Sequence, residues 1–180
     1  MISQPRATGE PFKRLFFALD CTAEQRQVIA RWRKTLPLGQ GRKVPSEHFH
    51  LTLLFLGEVS LERLPSVLAA AGSVRPPGGA LRVPLDRLEA WHRSGVLVLA
   101  PQSPPKALLR LAYDLQQALL PLGLLKESRD YRPHLTLARD FQGQAPEAVM
   151  PPELWLSASR FTLFESHKGQ YSPLRHWSLT

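Results

Sequence analysis

The 180-residue chain is short of cysteine, of acidic residues and of long apolar runs, and each shortage narrows what it can be. Cys21 is the only cysteine. A single thiol cannot close an internal disulfide and removes any cysteine-based zinc cluster; just after an apolar run, Cys21 reads as a small packing residue. No apolar stretch approaches the roughly 20 residues that span a bilayer, and the first ten residues are polar, without a signal-peptide core. A soluble, cytoplasmic protein with no membrane association is the expectation. No Gly-rich phosphate loop is present, so the chain lacks the motif for P-loop nucleotide hydrolysis. Fifteen acidic residues against 23 basic ones leave a formal net charge of +8 and a pI near 10.2. Such a charge gathers anionic partners, of which nucleic acid is the commonest for a basic protein. The arginines are scattered, with no basic tail, and 17 prolines announce many rigid turns.

Against these shortages stands a phrase that occurs twice: His50-Leu51-Thr52-Leu53 and His134-Leu135-Thr136-Leu137. Both copies lie in apolar, strand-like runs. Side chains alternate along a strand, so each His shares a face with the Thr two residues on, while the Leu between points into the packing. A lone His-x-Thr on a strand is commonplace, because Thr forms strands well and His sits easily at a sheet edge. Recurrence with the same spacers is not a packing requirement, since a core would accept Val, Ile or Phe in place of His. Two such strands side by side place two imidazoles and two hydroxyls around one cavity. That is equipment for acid–base chemistry on a phosphate ester: a neutral imidazole takes a proton, an imidazolium gives one, and hydroxyls hold the oxygens. The pair is symmetric, so the residue pattern does not say which His is acid and which is base.

The rest of the chain reads as alternating strands and helices. Lys13–Leu19 is a first strand; Thr22 opens a helix, with Gln25 completing a capping box and Val28, Ile29 and Trp32 at helical spacing. His48–Leu56 is the first motif strand, closed by Gly57, and Ser60–Ala71 is a helix interrupted near its start by Pro65. Pro76-Pro77-Gly78-Gly79 marks a boundary between halves. Leu81–Leu88 and Val96–Ala100 read as paired strands, and Pro104-Pro105 starts a helix whose Leu108, Leu111, Ala112, Leu115 and Leu119 form one apolar stripe. A charged loop, Lys126–Arg132, leads to the second motif strand, and Phe161–Glu165 and His176–Leu179 are further strands. The fold class expected is α+β: two lobes, each a mainly antiparallel sheet with helices on its outer face, set across a cleft that takes one His from each.

At the level of family, the chain resembles the two-histidine (2H) phosphoesterases, specifically the bacterial RNA 2′,3′-cyclic phosphodiesterases, also called 2′-5′ RNA ligases. The resemblance rests on Arg14-Leu15-Phe16-Phe17-Ala18-Leu19, His50 through Glu58, Arg132-Pro133-His134 through Arg139, and the closing Tyr171 through Leu179. It runs from about Lys13 to the C-terminus, leaving residues 1–12 as a flexible extension of a single bilobal domain over 1–180. It implies pseudo-two-fold symmetry and hydrolysis, without metal or other cofactor, of a 2′,3′-cyclic phosphate at an RNA end to a 2′-phosphomonoester. By resemblance His50 is the proton donor to the leaving 3′-oxygen and His134 the proton acceptor from water. Thr52, Thr136 and Arg139 bind the phosphate. The implied partners are RNA ends bearing 2′,3′-cyclic phosphate, such as tRNA fragments or small nucleotides, and the implied state is a monomer. Ligation through a 2′-5′ bond, with an RNA 5′-hydroxyl in place of water, is the same chemistry in reverse.

Strict alternation from His134 puts Arg139 on the opposite face; it reaches the phosphate only if the strand ends or bulges near Ala138. Phe16 and Phe17 alternate, so one belongs to the core and the other is a candidate for stacking a nucleobase. A competing reading gathers His48, His50 and His134 as three imidazoles on zinc; neither motif supplies a carboxylate ligand, and no metal is expected. His92, His167 and His176 read as surface residues. Two other functions remain open on the residues: a phosphodiesterase for another small cyclic phosphate, and an RNA-binding module without catalysis.

Overall fold

The computed structural model describes residues 11–125 and 130–180. In chain order the elements are β1 (Phe12–Asp20), α1 (Ala23–Arg33), β2 (Arg42–Lys43), β3 (His50–Ser60), α2 (Leu64–Gly72), β4 (Leu81–Leu85), β5 (Arg87–Trp91), β6 (Val96–Ala100), α3 (Lys106–Leu119), β7 (Leu135–Arg139), β8 (Leu154–Ala158), β9 (Arg160–His167) and β10 (Gln170–Ser178). One four-stranded sheet has the order β10-β9-β1-β3, a second β2-β7-β6-β5, and β4 pairs with β8 in a two-stranded ribbon. Every pairing is antiparallel. The architecture is the expected α+β arrangement of two sheet-bearing lobes, with β3 of the first sheet against β7 of the second.

Local chemistry accounts for the helices. Thr22 caps α1 with a complete capping box: its hydroxyl accepts from the Gln25 N–H at 3.1 Å and the Gln25 side chain accepts from the Thr22 N–H at 3.2 Å. Such a cap contributes about 1 kcal/mol. Pro65 falls in the first turn of α2, where its missing N–H would be unsatisfied anyway. In α3 the predicted stripe is buried without exception, from Leu108 to Leu119, and the helix lies against β3 and α2. Each of those leucines, cut to Ala, would cost about 2–5 kcal/mol. A hydrophobic core runs through both sheets, from Leu15 and Phe17 of β1 to Leu97, Leu99, Leu135 and Leu137 around β6 and β7.

Several expectations are corrected. The chain does not divide into halves at Pro76–Gly79: β9 and β10, the last strands, complete the sheet begun by β1, while β2, from the first half, joins the second sheet. Leu81–Leu88 is two strands, because the chain turns at Asp86, whose carboxylate accepts from the Gln102 N–H at 2.8 Å; β4 then pairs with β8 and β5 with β6. Strand β8 had no counterpart in the sequence reading. Pro84 and Pro173 sit in β4 and β10, strands with one unpaired edge, where a missing N–H is tolerated. The first motif strand starts at His50, since Ser46–His48 forms a 3-10 turn, and it runs through Gly57 to Ser60. Gly57 adopts φ +71°, next to a register shift, a conformation that glycine takes without strain. Residues 1–10 of the predicted extension and 126–129 of the charged loop lie outside the described residues; β1 begins at Phe12. Among the described residues no helix is long and apolar enough to cross a membrane.

Candidate active site

His50 opens β3, with Leu51 and Leu53 buried beneath it and Thr52 on its own face. The 3-10 turn before the strand carries the His48 carbonyl to the ring, and His50 Nδ1 donates to it at 2.6 Å. That bond selects the tautomer whose Nε2 lone pair faces outward, 3.1 Å from the Thr52 hydroxyl. His134 sits immediately before β7 and is held by the same device: its Nδ1 donates to the Arg132 carbonyl at 2.7 Å. Each imidazole is thus tied to the carbonyl two residues upstream and keeps Nε2 for chemistry.

Arg139 is decided by a bulge. In the β6–β7 ladder Leu99, Val98 and Leu97 oppose Leu135, Thr136 and Ala138, leaving Leu137 as an extra residue. Leu137 and Ala138 are consequently both buried, and Arg139 turns back to the face of Thr136. The first copy does the same: Ala18 opposes Thr52 and Phe17 opposes Leu54, so Leu53 is extra and Phe55 returns to the face of Thr52. Both bulges fall on the last residue of the repeated phrase, a position that strict alternation does not foresee. A groove of about 550 Å³ brings His50, Thr52 and Phe16 of the first sheet together with Arg139 of the second.

Two residues that the sequence reading did not single out tie the lobes together behind this groove. The Tyr131 hydroxyl donates to the Thr52 carbonyl at 2.9 Å, linking the approach to His134 with the strand of His50, and burial pushes its phenol pKa up. Arg33, buried on α1, donates to the Leu137 carbonyl at 2.9 Å and the Val44 carbonyl at 2.6 Å, and its guanidinium lies 4.9 Å from the centre of the Phe49 ring. One side chain therefore touches the bulge that aims Arg139 and the residue preceding His50. A sequence signal for it did exist: Arg33 stands four residues after Ile29, on the stripe that α1 buries.

The walls of the two histidines differ. Phe16 lies 5.1 Å from the His50 ring, stacked on Phe164 at 5.4 Å, with Tyr171 edge-on to both Phe16 and His50. Beside His134 stands Trp91 at 4.3 Å, with the Arg132 guanidinium 4.2 Å over the indole. Glu89 accepts from the Trp91 N–H at 2.7 Å and pairs with Arg132 at 3.5 Å. Phe17 is corrected as a stacking candidate: it is fully buried on the other face of β1, against Phe161 and Trp177. Phe16 lines the groove but is itself buried, packed among Phe164, Tyr171 and the His50 ring, so it forms part of the wall and offers little free face to a base. His48 is in the turn, its ring 4.5 Å from Tyr171, and among the described residues no three His, Cys, Asp or Glu side chains gather as a metal site. Of the other histidines, His92, His167 and His176 are exposed, and Cys21 is buried with its thiol pushed up to about 12, chiefly by that burial.

Both histidines titrate below the ordinary 6.5. For His50 burial is the main cause, helped by the charges of His134 and Arg139 and opposed by the His48 carbonyl and Asp20. For His134 burial again leads, with Arg132 and Arg139 lowering and the Arg132 carbonyl and Glu89 raising. An anion in the groove would offset the repulsion between these cations and favour an imidazolium. The arrangement can hold an oxyanion and move protons on either side of it.

The LigT-like phosphoesterase family matches the chain twice in tandem, over residues 19–98 and 98–174, each match containing one copy of the repeated phrase. The chain is 41% identical to the RNA 2′,3′-cyclic phosphodiesterase of Escherichia coli, covering 96% of this chain and 99% of that one. It is 34% identical to the enzyme of the same name from Bacillus subtilis over 68% of this chain and 70% of that one. The crystal structure of E. coli LigT complexed with 3′-AMP superposes with a TM-score of 0.82 at 38% identity, covering 94% of this chain and 99% of that one. With both copies of the motif inside the matched segments and the fold shared over nearly the whole length, the chain belongs to the LigT-like phosphoesterase family, within the 2H superfamily.

Proposed function

We propose that the protein hydrolyses 2′,3′-cyclic phosphates at RNA ends to 2′-phosphomonoesters, with His50 and His134 as the acid and base. Water attacks phosphorus while His134 Nε2 takes its proton; the bond from phosphorus to the 3′-oxygen breaks, and His50, entering as imidazolium, protonates that oxygen. One water is consumed, one proton is taken and one given, and solvent exchange restores the starting pair. Each positioned proton transfer contributes typically ~10²- to 10⁴-fold in rate. Thr52, Thr136 and Arg139 hold the non-bridging oxygens, where preorganised donors act most strongly as charge develops. Replacing water by an RNA 5′-hydroxyl gives a 2′-5′ linkage through the same steps.

The observation that carries this reading is the matched hold on the two rings, each Nδ1 bonded to the carbonyl two residues upstream, with the Thr52 hydroxyl beside His50 Nε2 and the bulge-turned Arg139 lining the same groove. The names of the E. coli and B. subtilis relatives support the substrate class. A monomer is the working unit of this proposal, and the core joining the lobes supports treating them as one domain. The assignment of His50 as acid and His134 as base follows the family pattern. The test is incubation with an RNA ending in a 2′,3′-cyclic phosphate in excess EDTA, with the product end identified. A 2′-phosphomonoester is expected. A 3′-phosphate, or turnover that returns only with an added divalent metal, would overturn the mechanism.

A further inference from the structure

The groove extends past His50 and Thr52 along the first sheet, and two cations, Arg14 and Lys168, line its far part. Arg14 lies two residues from Phe16 on the same face of β1, which places it about 6.8 Å farther along the strand. Lys168 reaches the same space from the β9–β10 hairpin, where it and Gly169 both take positive φ, +49° and +74°, as a tight two-residue turn requires. No carboxylate is among the described residues that line the groove; Glu58, directly opposite Arg14 in the β1–β3 ladder, shares that face of the sheet just outside the lining. Phe55, which the first bulge brings to this face, is 52% exposed, with the Arg14 guanidinium 5.3 Å from its ring centre. A large exposed aromatic beside two cations, one step from a phosphate-holding centre, has the composition of a stacking platform on a charged track.

Resting on the phosphodiesterase reading, we propose that Arg14, Lys168 and Phe55 form a subsite for the nucleotide preceding the cyclic one. Arg14 and Lys168 take the 5′-phosphate that joins the two nucleotides, and the preceding base lies on Phe55. The protein then distinguishes a polynucleotide end from a cyclic mononucleotide by a phosphate that takes no part in the reaction.

The test uses three substrates on the full chain: 2′,3′-cyclic AMP, its 5′-phosphorylated form, and the dinucleotide ApA with a 2′,3′-cyclic end. In the wild type kcat/KM should rise at each step, the second by about tenfold, the scale of one stacked base. Arg14→Gln and Lys168→Gln should each erase most of the gain from the 5′-phosphate, leave 2′,3′-cyclic AMP unchanged and flatten the salt dependence of the first step. Phe55→Ala, at an exposed position, should lose only the second step. Affinities for the three 2′-phosphate products, measured in parallel, read the subsite independently of turnover. Equal kcat/KM and equal affinity across the series in the wild type would overturn the proposal. So would a variant that lowers all three substrates alike. If nothing is hydrolysed but product affinity still climbs in two steps that these variants remove, the subsite stands and the catalytic reading falls.

Discussion

The two motif regions share a backbone and differ in their surroundings. Around His50 and around His134 the chain repeats the same devices: an Nδ1 bond to the carbonyl two residues back, a half-buried Thr two residues on, a buried Leu between, and a bulge at the final Leu of the phrase. Of the two threonines only Thr52 is among the residues lining the groove. Beyond the bulge the two copies diverge. Phe55 and Arg139, each five residues past its histidine, both turn to the groove, one as an apolar platform and the other as a cation. The His50 wall is aromatic, built from Phe16, Phe164 and Tyr171; the His134 wall is a Trp91–Arg132–Glu89 assembly that carries charge. A duplicated scaffold thus presents two imidazoles held in the same way, among unequal neighbours; on the proposed function those neighbours give the site its direction.

The largest test of the equality is removal of either imidazole. His50→Ala and His134→Ala should each lower kcat by ~10²- to 10⁴-fold with the fold intact by circular dichroism, and the double variant should fall far short of the product of the two. Near-normal turnover in one of them would break the comparison, leaving a single histidine in charge. Next come the groups proposed to hold the phosphate oxygens. Thr52→Val and Thr136→Val should each cost about 1–3 kcal/mol in kcat/KM without moving the pH flanks, since a hydroxyl donor to a charged group is worth about that. Arg139→Gln should weaken substrate and 2′-phosphate product together, most visibly at low salt. An Arg139 variant that bound product normally would show that the second bulge serves packing alone.

Smaller effects should separate the two ties between the lobes. Tyr131→Phe removes the donor to the Thr52 carbonyl and should lower stability by about 1 kcal/mol, read from urea unfolding, with a modest fall in kcat. Arg33→Met removes the buried donor to the Val44 and Leu137 carbonyls and should lower stability by about 1–3 kcal/mol, the cost of leaving a buried acceptor without its partner. Its KM should also rise several-fold as Arg139 loses its aim, with the pH flanks of kcat unmoved. A loss of stability with KM intact would assign Arg33 to the core and not to the site.

The smallest expected effect is on pH. Both histidine pKa values are lowered from 6.5, so the bell in kcat/KM, which reports the free protein, should be centred below that value. Bound cyclic phosphate restores negative charge between the rings and should move the bell in kcat to higher pH. The same shifts act on folding. With the folded values depressed, the unfolded chain binds more protons just below 6.5, so stability rises with pH through that window and is lost as pH falls below it. Thermal unfolding scanned downward from about pH 7.5 should show this loss, and His50→Gln should reduce it. A kcat profile flat across mildly acid and mildly alkaline pH would rule out the two-imidazole mechanism.

Much of this was legible in the residues because it depends on local periodicity. Alternation alone put His50 with Thr52, the capping box at Thr22 announced α1, and the spacing of Leu108 through Leu119 announced α3. The misreadings share one cause: they turn on partners distant in sequence. Strand β8, Leu154–Ala158, is short and gains its identity only by pairing with β4, and Leu81–Leu88 reads as one strand until Asp86 hands its two parts to different neighbours. Tyr131 carries no signal of its own, since its role is a single bond across 79 residues.

By itself, then, the sequence determined the chemistry on offer: two imidazoles and two hydroxyls presented in pairs by strands whose period is two, on a chain with a net charge suited to anions. Only the tertiary structure decided where that chemistry points. Pairing across the ladders inserted the extra residues at Leu53 and Leu137, since a bulge belongs to two strands and cannot be read from one. Those insertions brought Phe55 and Arg139 to the groove, and the return of β9 and β10 to the first sheet set Tyr171 beside His50 and Lys168 along the same groove.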